Sequence, residues 1–136
     1  MATPKKEVQG FDLANLKPTS DTIDVELVHP VTEEPLGMTI TVYATHSKEY
    51  KAVVHAQANA RIKKMSKGKK VEWTADDVEE AGLTAVANTT KGWNLIFDGK
   101  PVPFSVDKAK EIYSDYYWIK TQVEEAQNDL SNFMKG

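Results

Sequence analysis

Thr22–Val42 reads TIDVELVHPVTEEPLGMTITV. In its first part Ile23, Val25 and Leu27 alternate with Thr22, Asp24 and Glu26, the period of two that sends alternate side chains to opposite faces of a strand. HPVTEEPLG then interrupts with two prolines and a glycine, and a second alternation sets Met38, Ile40 and Val42 against Thr39 and Thr41. The simplest assembly is an antiparallel β-hairpin with one apolar face, joined by a loop around residues 32–35. A hairpin alone is marginal in water, so the same stretch calls for helices to cover its apolar face. The expected fold is α+β, an N-terminal hairpin packed on a mostly helical body.

Downstream, Ser47 can cap a helix near 47–66, in which Tyr50, Val53, Val54, Ala58, Ile62 and Met65 recur at spacings of three and four. This helix is expected to cover the hairpin. Thr74 caps a second helix near 74–89, whose first turns hold Asp76, Asp77, Glu79 and Glu80 where the positive dipole end favours acids. Val78, Ala81, Ala85 and Val86 form its apolar stripe. Gly92–Ser105, GWNLIFDGKPVPFS, contains the tight-turn pair Asp98-Gly99, and Pro101 and Pro103 cannot donate to a sheet ladder. An irregular, partly extended connector is expected there, with Trp93, Phe97 and Phe104 anchoring the following helices to the core. Ser105 caps a helix near 105–113, and a break near Ser114-Asp115 precedes a last helix near 115–134. Tyr116, Ile119, Val123, Ala126, Leu130 and Phe133 line one face of that helix in a short heptad-like seam. Upstream, residues 1–20 read as a flexible arm, leaving 21–134 as a single globular domain.

With 136 residues the chain can bury roughly two-thirds of its unfolded surface, enough for a core without staples. Its net charge of −3 gives no global basic field for nucleic acid or an anionic membrane. The absence of cysteine excludes disulfides, thiolate metal sites and cysteine nucleophiles. No apolar run approaches the ~20 residues a membrane span needs, and MATPKKEVQG lacks the apolar stretch of a signal peptide. A soluble, intracellular protein is the expectation.

Chemistry finds little purchase. His29, His46 and His55 lack the i, i+3 or i, i+4 spacing that sets two imidazoles on one helix face, so no metal site is expected. The carboxylates cluster at helix starts and turns, without the unlike environments that separate the pKa values of an acid–base pair. Neither a nucleophile elbow nor a phosphate loop is present, and no catalytic residue or cofactor is assigned. RIKKMSKGKK, residues 61–70, could neutralise phosphates, but it lacks interleaved aromatics and an acidic run follows, which favours a charged linker. YSDYYWIK gathers Tyr113, Tyr116, Tyr117 and Trp118 within six residues; on one continuous helix the tyrosines share a face and Trp118 points away from part of it. Aromatics with a polar handle suit core edges and interfaces alike. The candidates for partner contact are Trp93, Phe97, Phe104, Tyr116, Tyr117 and Trp118.

Taken with SKEY at residues 47–50, the stretches VELVHPVTEEPLGMTITV and GWNLIFDGKPVPFS, leading into a helical end, resemble the small tail assembly chaperones of long-tailed bacteriophages. The likeness runs from about Thr22 to Phe133; Glu33 departs from it, standing where a glycine is expected in the hairpin loop. The resemblance implies a non-catalytic protein of the host cell cytoplasm, not expected in the mature virion. It would bind the tape measure protein and help recruit tail tube protein, with a homo-oligomer open. Many members of that family are also made as a longer product through a ribosomal frameshift, so the DNA around Lys135 and Gly136 should carry a slippery run. The alternatives are a structural virion component of head–tail or tail completion, and an enzyme with dispersed catalytic residues.

Overall fold

The computed structural model describes residues 13, 18, 20–68 and 74–133. Most of the expected arm at 1–20, and Lys69 and Lys70 of the basic run, lie outside the described residues. The hairpin forms as its alternation requires. Strand β1 (Thr22–Val28) pairs antiparallel with β2 (Pro35–Tyr43), setting Ile23 opposite Val42 and Val25 opposite Ile40, with a register shift between Glu26 and Val28. Val25, Leu27, Ile40 and Val42 are buried, while Asp24 and Glu26 face solvent. In the connecting loop the His29 amide donates to the Glu34 carbonyl (2.8 Å), and the amides of Val31 and Thr32 donate to His29 Nδ1. Glu33 adopts φ 64°, the left-handed region that favours glycine.

Helix α1 spans Lys48–Ser66 and α2 spans Ala75–Asn88. Strand β3 (Thr90–Trp93) follows and pairs antiparallel with β2, making a three-stranded sheet in the order β1-β2-β3. The third strand exceeds the expected hairpin. Its segment, TKGW, is too short and too polar to signal a strand by alternation. Next, β4 (Ile96–Phe97) and β5 (Lys100–Pro101) form a two-residue-loop hairpin about Asp98 and Gly99, at φ 52° and 77°. Two successive positive φ values are what such a turn demands, which is why Asp-Gly stands there. The described residues end in α3 (Val106–Asp115), α4 (Tyr117–Asn128) and a 3₁₀ turn, Leu130–Phe133.

All three expected caps are in place. Ser47, Thr74 and Ser105 accept hydrogen bonds from the amides of Tyr50, Asp77 and Lys108, and Asp77 returns a bond to the Thr74 amide in a capping box.

The covering of the sheet differs from expectation. Helix α1 buries no residue, and Val54, Ile62 and Met65 are exposed. In helical projection Lys51 falls between Val54 and Ile62, so the stripe is interrupted, and alanines supply much of the remaining apolar surface. Helix α4 lies over the sheet instead, burying Ile119 and Val123 with Val25, Leu27, Ile40 and Val42 in one cluster. Gln127 of α4 is also buried; its Nε2 donates to the Tyr43 carbonyl (2.7 Å) and to Thr89 Oγ1 (2.9 Å). Helix α2 joins through Val86 and Ala87 rather than Val78, which is exposed. The last helix is shorter than the expected 115–134. Asp129 leaves the helical region at ψ 101°, its carboxylate accepts from the Ser131 amide (3.1 Å), and Asn132 Nδ2 donates to the Ala126 carbonyl. Phe133 is nonetheless buried, brought in by the 3₁₀ turn.

Candidate functional site

The aromatic candidates divide into three groups. Trp93, at the end of β3, is half-buried against the core; its Nε1–H donates to the Val102 carbonyl at 2.8 Å. Phe104 meets it edge-to-face, with ring centroids 4.9 Å apart. This pair ties the connector to the sheet, the anchoring expected of Trp93 and Phe104. Phe97 does not share in it. The Asp98-Gly99 turn carries β4 away from the core, leaving Phe97 61% and Ile96 59% exposed.

The second group straddles the joint between α3 and α4. Helix α3 ends at Asp115, and Tyr116 takes φ −118° and ψ 75° before α4 begins. This break resets the helical phase. Had one helix continued, Tyr117 would share the buried face of Tyr113, with Trp118 turned away. Instead Trp118 packs half-buried against the core and Tyr117 is exposed, with Lys120 Nζ 5.1 Å above its ring. Tyr117 therefore stands alone of the six, beside Asp76 and Glu79 of α2.

Phe97, Tyr116 and Trp118 come together. They line a cleft of about 130 Å³ between the β4–β5 turn and the helix joint, floored by Met38, Leu95 and Ile119. A second cleft of about 370 Å³ shares Phe97, Val102, Ile112 and Tyr116, and extends along Pro101 and Pro103 to α3. The prolines give this wall an apolar surface without amide donors. Sequence reasoning missed Met38, Ile96, Val102 and Ile112. The signal for Ile96 was available: strict alternation through Trp93, Leu95 and Phe97 puts Ile96 on the opposite face from them, yet it lies in a strand too short to bury either face.

Electrostatics here is quiet. Tyr113 lies behind the joint, fully buried, with its hydroxyl 2.7 Å from Thr90 Oγ1, which has the Val86 carbonyl 2.8 Å away. Burial pushes its pKa up to about 12, against the opposing effect of that hydrogen bond. The Lys110 ammonium beside Glu80 lowers that carboxyl below its ordinary value and ties α3 to α2. Two of the three histidines have separate engagements. His29 holds the hairpin loop, and His46 Nε2 lies 3.2 Å from Asp21 with its ring edge-to-face on Phe133. Among the described residues no three His, Cys, Asp or Glu side chains gather as a metal site, and no helix is long and apolar enough to cross a membrane.

No family model, curated protein or solved structure matches the chain.

Proposed function

We propose that this chain is a tail assembly chaperone of a long-tailed bacteriophage. In this reading it acts in the host cytoplasm without catalysis. It binds the tape measure protein, helps recruit tail tube protein, and leaves before the virion matures. The observation that carries the reading is the apolar surface formed by Ile96, Phe97 and Tyr116 around two adjoining clefts. Large apolar side chains held out by a tight turn, beside a proline-lined wall, suit reversible contact with apolar segments of a client. The sequence resemblance supplies the class of client; the patch supplies a surface to hold it.

Co-expression with a tape measure protein tests the reading. The expected result is a client that stays soluble and co-elutes with this chain, with Phe97→Glu abolishing co-elution while the variant remains folded by circular dichroism. A client that aggregates equally with and without the chain contradicts it. Mass spectrometry of purified particles provides the second arm, because stoichiometric presence in virions would make the chain a structural component instead.

A further inference from the structure

A different part of the molecule carries a second binding surface. Among the described residues strand β1 is an edge of the sheet, and its outer side faces a groove of about 610 Å³ walled by α4. The hydrogen-bond parity of the sheet shows which groups point into it. Tyr43 gives its amide to the Thr89 carbonyl, and Thr39 exchanges bonds with Asn94, accepting from the Asn94 amide and donating to Asn94 Oδ1. Both β2 residues thus turn their backbone away from β1. Their partners in register, Thr22 and Glu26, and Asp24 between them, therefore turn theirs to the free edge.

Both ends of that edge are closed. Ser20 Oγ accepts from the Thr22 amide (3.2 Å) and donates to the Thr22 carbonyl (2.6 Å). At the other end the Gln122 amide group accepts from the Val28 amide (3.0 Å) and donates to its carbonyl (2.9 Å). Between these ends the N–H and C=O of Asp24 and Glu26 have no partner among the described residues. They repeat at the two-residue interval, about 6.6 Å, of an extended chain. Among the described residues the groove they face is lined by four acidic residues, Asp24, Glu26, Glu125 and Asp129, and by no lysine, arginine or histidine; Asp24 Oδ1 accepts from Thr41 Oγ1, and Asp129 Oδ1 accepts from the Ser131 amide and hydroxyl.

We infer that this groove takes an extended, lysine- or arginine-bearing segment of a partner polypeptide as a short fourth strand. The backbone ladder of Asp24 and Glu26 would hold its main chain, and the negative charge of this edge, with Glu26 and Glu125 foremost, would select its charge. A second copy of β1 is the poorer occupant, because pairing two such edges brings Asp24 and Glu26 of each against like charge. The inference stands apart from the client surface at Phe97 and from the tail-chaperone reading.

The test is an amide-resolved NMR titration of the full chain with the peptide acetyl-Lys-Val-Lys-Val-Lys-amide at low salt. The amide protons of Asp24 and Glu26 should shift and gain protection from exchange. A peptide N-methylated at alternate residues should fail to produce either effect. Glu26→Lys combined with Glu125→Lys, both at exposed positions, should weaken binding about tenfold. The inference is overturned if the acetyl-Glu-Val-Glu-Val-Glu-amide or N-methylated peptide binds equally. It is also overturned if shifts fall only outside β1 and α4, or if the same two amides shift when the protein is merely concentrated.

Discussion

Tyr113 offers a measurement in which the sign of an effect reverses with pH. Its ring is fully buried and its hydroxyl lies 2.7 Å from Thr90 Oγ1, so Tyr113→Phe removes one buried hydrogen bond without emptying space. At pH 7 the variant should be less stable by about 1 kcal/mol, the net worth of such a bond, since Thr90 can still donate to the Val86 carbonyl. Raising the pH changes the balance. The folded-state pKa is pushed up to about 12 from the ordinary value of 10.0, so above pH 10 the unfolded chain releases this proton while the folded chain retains it. A raised pKa contributes stability that is whole below the unfolded value and is lost as pH rises toward the folded one. With a displacement of about two pH units, the loss by pH 11 is about 1.4 kcal/mol. Phenylalanine suffers none of it. Urea unfolding followed by circular dichroism at pH 7, 9, 10 and 11 should therefore show wild type ahead at pH 7, the two proteins level between pH 10 and 11, and Tyr113→Phe slightly ahead at pH 11. A difference that stays constant over that range would falsify the burial of an un-ionised Tyr113 as the source of the shift.

Three further outcomes follow from the packing. Trp93→Ala should cost about 3 kcal/mol in urea unfolding, through loss of the Phe104 contact and the bond to Val102, whereas exposed Phe97→Ala should stay within about 0.5 kcal/mol of wild type. Equal losses at the two sites would remove the distinction between anchor and contact surface. Glu33→Gly should stabilise by about 0.5–1 kcal/mol, because relief of the left-handed conformation outweighs the added freedom of the unfolded chain; a fall in melting temperature contradicts the assignment. Gln127→Ala should cost about 1–3 kcal/mol by leaving the half-buried Tyr43 carbonyl without its donor, and a neutral result would mean that another group reaches it.

What the sequence disclosed about the fold follows the range over which each signal acts. The hairpin was legible because Thr22–Leu27 and Met38–Val42 each carry a complete period-two pattern, and the caps because Ser47, Thr74 and Ser105 act within three residues. The assignment of α1 as the cover of the sheet failed because a stripe at three and four residues says that a helix has an apolar side, not what meets it. Lys51 lies within the stripe of α1, while Ile119, Val123 and Ala126 meet no such interruption, and the longer-range competition for the sheet went to α4. Strand β3 was hidden for the converse reason. Its pairing with β2 depends on Tyr43, Thr39 and Asn94 across some fifty residues of chain, and TKGW itself carries no pattern.

The candidate surface was legible in composition but not in direction, and one residue accounts for much of the gap. YSDYYWIK announces four aromatics, and a continuous helix would have buried Tyr117 with Tyr113 and exposed Trp118. The turn at Tyr116 interrupts that phase, so Trp118 packs inward, Tyr117 faces out and Tyr116 lies at the mouth of the clefts beside Phe97. No side chain near the break announces it: neither glycine nor proline stands between Val106 and Phe133, and Tyr116 makes no side-chain cap bond. The break is sustained by its consequences. Tyr113 on one side is held by Thr90, and Ile119 and Val123 on the other are held by the sheet, so both helix stubs are fixed from within and the residue between them takes up the mismatch. A substitution that straightened the joint would have to withdraw either Tyr113 or Ile119 from the core. The exposed position of Tyr116 is thus coupled to the burial of residues on both sides of it.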